Sequence, residues 1–454
     1  MQSMFQECTE LEHIKFNDST LTKNLEYMDS MFDHCFSLTS LNTNIFKVNK
    51  VANLSYTFAD CHSLQNLDLS NFETKNVIEL SYTFYECENL ETIDIPHFDT
   101  SKVIKMDNMF NGCCKLQNLD ISSFSLENVI DLSSMFQGCY KLENIKFNES
   151  TLTINLENMD YMFDNCNSLE SINAKIFKVN KAQSLNYVFR GCESLKILNL
   201  SNFETDNTET LFHTFSGCSS LEAIDVSHFN TSKVSVVERM FFGCQKLKSL
   251  DISNFNTSLL FNTKEAFSFC ESLTSLDLSS LDFSSVVFMG SNFSCCFSLK
   301  YVALPNYMEL IFNTHEMFEY CSNLTSINLN FLEESFQWRD AYGMFYNCKS
   351  LKEIVFPIVK ADHLYNTTQM FSGCTNLSHI DLSGLYTREI VDIRSMFENC
   401  TNLIFLNIIH FDTNNLSFYG KVFYGVTNKI KIIYDPFITN RGFESEIRKI
   451  ISLE

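Results

Sequence analysis

The sequence is poor in the residues that punctuate loops, with 12 Gly and 4 Pro in 454 residues. So small a supply leaves no Pro/Gly/Ser-rich linker to divide the chain into domains, and no Gly-rich loop to cradle a phosphate. Tryptophan occurs once, at Trp338. Positive charge is also short: 33 Lys and Arg stand against 55 Asp and Glu, a net charge of −22. That balance disfavours nucleic acid and anionic lipid surfaces as partners and favours cations or basic ones. No apolar run reaches the roughly 18 residues of a membrane span. The segment Met1–Cys8 has neither the basic nor the apolar part of an export signal. The ten His show no metal-ligand or triad spacing. The expectation is no catalytic residue, no metal and no cofactor.

Phenylalanine is what the chain has in excess: 44 copies in a sequence that is 45% hydrophobic. A bias in one aromatic predicts one position repeated many times. The position is Phe-x-x-Cys. It runs from Phe5/Cys8, Phe32/Cys35 and Phe58/Cys61 to Phe371/Cys374 and Phe397/Cys400, then decays at Phe423/Val426. Successive anchors lie 25 to 27 residues apart and take sixteen of the 18 cysteines, leaving Cys114 and Cys295 as extras. Leu follows every anchor Cys by three residues. A longer period also exists: residues 11–38 match residues 142–169 at an offset of 131, as duplication of a five-repeat block would produce.

Leu90 to Cys113 illustrates one repeat. Ile93 and Ile95 alternate with Thr92 and Asp94, which predicts a short strand with the isoleucines inward. Val103, Met106, Phe110 and Cys113 follow at three- and four-residue spacing, which predicts one face of a short helix with Thr100 or Ser101 as its N-cap. The expected fold is therefore an α/β solenoid of about 17 repeats of about 26 residues. A parallel sheet would line the concave face of a curved horseshoe, and short helices the convex face. Residues 1–428 form the expected solenoid, uncapped at its start because Met1 falls inside a repeat, so a segment upstream is expected. Residues 429–454 form the expected cap: a strand from Lys429, a break at Asp435-Pro436 and a closing helix over Phe443–Leu453.

Three sets of residues are candidates for function. The anchor cysteines read as a buried ladder of free thiols, because parallel side chains on adjacent rungs stand about 4.8 Å apart at Cβ, beyond disulfide reach. Cys114 and Cys295 are expected to face outward. Seven residues after the anchor Cys come Asp68, Asp94 and Asp120, then Asp225, Asp251 and Asp277, with Asp381 later. Exposed like charges about 5 Å apart repel by about 0.8 kcal/mol, which a basic partner or a cation would relieve. Hydrogen bonds to neighbouring turns are the other account. Asn42, Asn173, Asn199, Asn328 and Asn407 at the same position point to it, and Lys15 and Lys146 interrupt the stripe. The third set is apolar and late: Tyr301, Ala303 and Pro305, then Glu353, Val355 and Pro357, then Phe405 and Ile409, all expected on the outward strand face as partner anchors.

The motif Met-Phe-x-x-Cys-x-x-Leu-x-x-Leu-Asp-Leu-Ser-x-Phe-x-Thr-x-x-Val, seen over Met109–Val129 and Met240–Ser258, resembles the BspA-like leucine-rich repeat family. The resemblance covers essentially the whole chain. It implies a surface-exposed or secreted protein that adheres to matrix proteins or other cells. The expected function is thus a non-catalytic, adhesin-like module. It would bind protein or glycan, with a bias to basic ligands, through Asp68, Asp94, Asp120, Asp225, Asp251, Asp277, Tyr301 and Phe405. An intracellular scaffold of the same fold is the alternative.

Overall fold

The computed structural model describes residues 1–454 except 17–21, 23, 307, 309, 330, 333–337 and 452–454. The chain forms two compact units, Met1–Lys233 and Val234–Glu454. Each is a parallel-strand solenoid, with about 16 turns between them.

In the first unit the strands pair in parallel, one repeat to the next. Asn66–Asp68 lies beside Thr92–Asp94, and Asn118–Ile121 beside Asn144–Phe147. The alternation expected for Leu90–Ile95 holds: Thr92 and Asp94 are exposed, Ile93 is half-buried and Ile95 is buried. In the second unit Ser275–Asp277 pairs with Tyr301–Ala303. Glu353–Val355, His379–Asp381, Phe405–Ile408 and Lys431–Tyr434 form one four-stranded parallel sheet.

The expected convex helices are a correction. Val103, Met106, Phe110 and Cys113 are buried as the spacing requires, but the segment that carries them is a run of overlapping turns. A helix with side chains is about 10–12 Å wide. The anchor rings stack far closer, with Phe84 to Phe110 at 5.3 Å and Phe110 to Phe136 at 5.8 Å. Rungs at that spacing have no room for a helix each. The backbone instead sends N–H groups to the next rung: Leu54 to Glu79, Tyr56 to Ser81, Phe58 to Thr83 and Asp60 to Tyr85. Two residues per rung take positive φ to permit this, for example Asn108 at 56° and Gly112 at 75°. Thr100 caps no helix; it is buried, and its hydroxyl donates to the Ser125 carbonyl at 2.8 Å on the following rung. Among the described residues only Arg441–Ile450 is α-helical, beside two short 3-10 turns.

Stacked phenylalanines fill each core. In the second unit Phe345, Phe371 and Phe397 lie within 5.9 Å of their neighbours with rings 2° to 5° from parallel. Phe423 continues the column, and Phe443 of the helix stacks on Phe423 at 6.4 Å. Asn440 starts that helix by accepting from the Phe443 N–H. The helix ends at Ile450, because Ile451 turns extended and bridges to Ile430; Ser452 and Leu453 of the expected helix lie outside the described residues.

The anchor cysteines do more than fill space. Anchor thiols from Cys35 onward donate to the carbonyl of the preceding anchor Phe, as Cys87 does to Phe58 at 3.1 Å and Cys374 to Phe345 at 3.0 Å. Small size and a weak S–H donor aimed at a buried acceptor explain why Cys holds this position. Burial pushes the Cys87 and Cys400 thiols up to about 12. Of the extras, Cys114 is half-buried, and burial followed by Glu86 and Glu88 raises its thiol. Cys295 is buried rather than outward. Since the thiolate is the reactive form, a disulfide-exchange reagent at pH 8 is expected to label Cys8 quickly, Cys114 slowly and the buried thiols only after denaturation. Rapid labelling of the buried thiols would show that the rungs open freely.

Candidate ligand-binding face

The outward side of the strands carries the predicted acids, and the structure shows why Asp stands there. Each strand runs into a turn whose first free N–H lies two residues on. Asp68 Oδ1 accepts from Ser70 N at 2.9 Å, and Asp120, Asp225, Asp251 and Asp277 accept likewise from Ser122, Ser227, Ser253 and Ser279. This is the Asx-turn that Asp and Asn both make, and Asn42 and Asn199 do the same. The Ser70, Ser227 and Ser279 hydroxyls, then their N–H groups, hold Asp68, Asp225 and Asp277 below the usual carboxylate range; at Asp251 the Ser253 N–H leads. Asp94 is the exception, because Pro96 at the receiving position has no N–H.

All six acids are exposed. In the first unit Asp68 stands in register with Asp94, and Asp120 with Lys146. Lys146 Nζ lies 2.9 Å from Asp120 Oδ2, and the Ser122 hydroxyl, followed by Lys146, draws Asp120 down to about 2. A shallow cavity of about 570 Å³ opens over this rung, lined by Asn118, Asp120, Asn144, Lys146, Glu149 and Asn173 among others. Asp225 belongs to the first unit, while Asp251 and Asp277 belong to the second.

The late apolar set is only partly outward. Tyr301 is 54% and Val355 66% exposed. Glu353 is exposed, but Pro305 is buried, and Ala303, Pro357, Phe405 and Ile409 are half-buried. Phe405 is held in register between His379 and Lys431, its ring 6.0 Å from His379. Exposed Ile404 and Ile358 flank these strands and went unnoticed, because they sit one residue off the alternation.

A second group was missed outright. Asp33, His34 and Asp60 offer ligand atoms that all lie within 4.8 Å of one another. Spacing within one repeat cannot reveal such a group, since His34 and Asp60 come from successive rungs. The signal was available in the repeat register: both stand two residues after an anchor Phe, where later rungs carry Gly112, Gly138 and Gly191.

Among the described residues no helix is long and apolar enough to cross a membrane. The family described as Mycoplasma protein of unknown function, DUF285, matches overlapping segments that together span residues 1–331. The BspA type leucine-rich repeat region, in six copies, matches residues 290–430. No curated protein matches the chain. Among solved structures, a leucine-rich repeat protein from Bacteroides ovatus is 20% identical, with a TM-score of 0.42 over 85% of this chain and 87% of that one. A leucine rich cell surface protein from Faecalibacterium prausnitzii is 17% identical, with a TM-score of 0.29 over 82% and 78%. The functional domain of InlJ from Listeria monocytogenes, which includes a cysteine ladder, is 13% identical, with a TM-score of 0.19 over 83% and 64%.

Proposed function

We propose, for a chain that belongs to the DUF285 family and carries BspA-type leucine-rich repeats, a non-catalytic interaction module that binds protein or glycan through the outward side chains of its strands. The role is adhesin-like, at a cell surface. One observation carries this reading: a set of exposed acids, with Asp68 and Asp94 in register, fixed by turn hydrogen bonds at Asp68 and Asp120 and left without one to the chain ahead at Asp94. The backbone beneath is locked rung to rung, so the row meets a partner already ordered and loses little entropy on binding. Basic ligands are favoured, because each relieves repulsion within the row.

The test uses a lysine-rich peptide and a panel of matrix proteins and glycans. Binding is expected to weaken from about 0.01 M salt, where charges reach about 30 Å, to 0.15 M, where they reach about 8 Å. Asp68→Lys with Asp94→Lys should weaken it further. Affinity for basic ligands that ignores both salt and these substitutions would count against the acidic row. An intracellular scaffold is the second reading, favoured by the hydrogen-bonded thiols, which suit a reducing compartment. Labelling of intact cells with an impermeant reagent separates the two.

A further inference from the structure

The duplicated block allows one site to be compared with its own copy. At the offset of 131, Gln6 corresponds to Gln137 and Asp33 to Asp164. In the later copy Asp164 is fully buried and closed on all sides. Gln137 Nε2 donates to it at 3.0 Å, and the Arg190 guanidinium forks onto it at 2.6 and 2.7 Å. In the earlier copy Gln6 keeps its place, donating to Asp33 Oδ2 at 2.9 Å. Asp33 is again buried, at 5% exposure. The counterpart of Arg190, however, is Ala59, so no guanidinium reaches the carboxylate.

The surrounding positions differ in a concerted way. His34 replaces Asn165, Asp60 replaces Gly191 and His62 replaces Glu193. His34 Nδ1 lies 2.7 Å from Asp33 Oδ1, and its Nε2 lies 3.7 Å from Asp60 Oδ2. His62 Nε2 lies 3.4 Å from Asp60 Oδ1. Phe36 stacks on the His62 ring at 4.8 Å and sets its orientation. The His34, Asp60 and His62 side chains are 46%, 18% and 35% exposed, so the group opens to solvent on one side.

We propose that His34 Nε2, the Asp60 carboxylate and His62 Nε2 bind a divalent transition-metal ion of the zinc class, with Asp33 as the outer partner of His34. Zinc bonds of about 2.0–2.2 Å place ligand atoms about 3.4 Å apart; His34 Nε2 stands 3.7 Å from Asp60 Oδ2 and His62 Nε2 3.4 Å from Asp60 Oδ1, so the carboxylate presents one oxygen to each imidazole. A metal-bound imidazole usually donates its other ring N–H to a carboxylate, which is what Asp33, steadied by Gln6, receives. Two imidazoles and one carboxylate suit zinc, copper or nickel, and not magnesium or calcium. Water fills the remaining position. The competing account is a His34 ring set between two carboxylates with no ion.

The test is Zn²⁺ titration of the reduced full chain against a competing chelator, with Co²⁺ as a spectroscopic probe and Ca²⁺ and Mg²⁺ as controls. One equivalent of Zn²⁺ is expected to bind, with a cobalt spectrum free of thiolate charge-transfer bands. His34→Asn with Asp60→Gly installs the residues the later copy carries, so the fold is retained while affinity falls at least a hundredfold. His62→Asn, at a partly exposed position, is the second variant, with an expected loss of at least tenfold. Cys8→Ser should leave binding unchanged. The proposal is overturned by no saturable uptake, by uptake indifferent to the His34 and His62 variants, or by a thiolate signature.

Discussion

Raising the pH from about 8 to about 11 is expected to unfold the reduced protein over a narrow interval, far more steeply than a single titrating group allows. The ordinary thiol value is 9.0, and in the folded chain burial lifts Cys35 to about 11 and Cys87 and Cys400 to about 12. Burial also raises Cys61, Cys113 and Cys374 well above it. A folded value raised above the unfolded one means stability that is whole below pH 9 and is lost as pH climbs through the folded values. In that window the unfolded chain sheds protons that the folded chain keeps, and each such thiol removes about 1.4 kcal/mol per pH unit. Typical total stability is only about 5–15 kcal/mol, so a column of thiols exhausts it within roughly one unit above 9. Circular dichroism against pH, with proton release counted, measures the slope. Equal stability at pH 8 and pH 10 would mean that the thiols ionise within the fold, and the ladder described above would be wrong.

Arg190→Ala is expected to cost about 3–5 kcal/mol, the loss that follows when one partner of a buried ion pair is removed. Asp164 has no exposed surface, and Arg190 supplies both of its short contacts while its guanidinium lies 4.4 Å over the Tyr187 ring. Gln137 alone cannot neutralise the stranded carboxylate. Removing both charges together, as Asp164→Leu with Arg190→Met, should cost much less, because no charge is left behind. Urea midpoints of the single and double variants form the cycle. If the single variant loses under about 1 kcal/mol, water reaches Asp164 and the pair behaves as a surface one.

The inward set was legible in the sequence because packing alone decides it. Val103, Met106, Phe110 and Cys113 are buried whether their segment is helix or turn, and three- and four-residue spacing is common to both. What decides between them is where the N–H of Phe58 goes, and its acceptor, Thr83, lies on another rung. No pattern within a single repeat contains that bond. The recurring Gly two residues after the anchor Phe, at Gly112, Gly138 and Gly191, was the available warning, since a helix gains nothing from Gly there while a positive φ favours it. The acids were placed on the correct face by alternation, but their turn bonds to Ser70 or Ser122 became visible only with the chain folded. His34 and Asp60 stay apart in the sequence for the same reason as Phe58 and Thr83: their proximity is a property of stacking.

The one-way backbone bonds of the anchor turns give a stack a direction. Leu54, Tyr56, Phe58 and Asp60 all donate toward the C-terminal neighbour, and the carbonyls that receive them all face the N-terminal one. At the anchor turns, a cut between these two rungs would leave these four donors bare on the upstream piece and their acceptors bare on the downstream piece, while the Ile78 N–H to Ala52 and the Cys87 thiol to Phe58 run the other way. The two surfaces are then plug and socket. Two upstream pieces would set anchor-turn N–H groups against one another, whereas an upstream and a downstream piece restore every bond in a single orientation. A reporter split at this seam would assemble with built-in polarity.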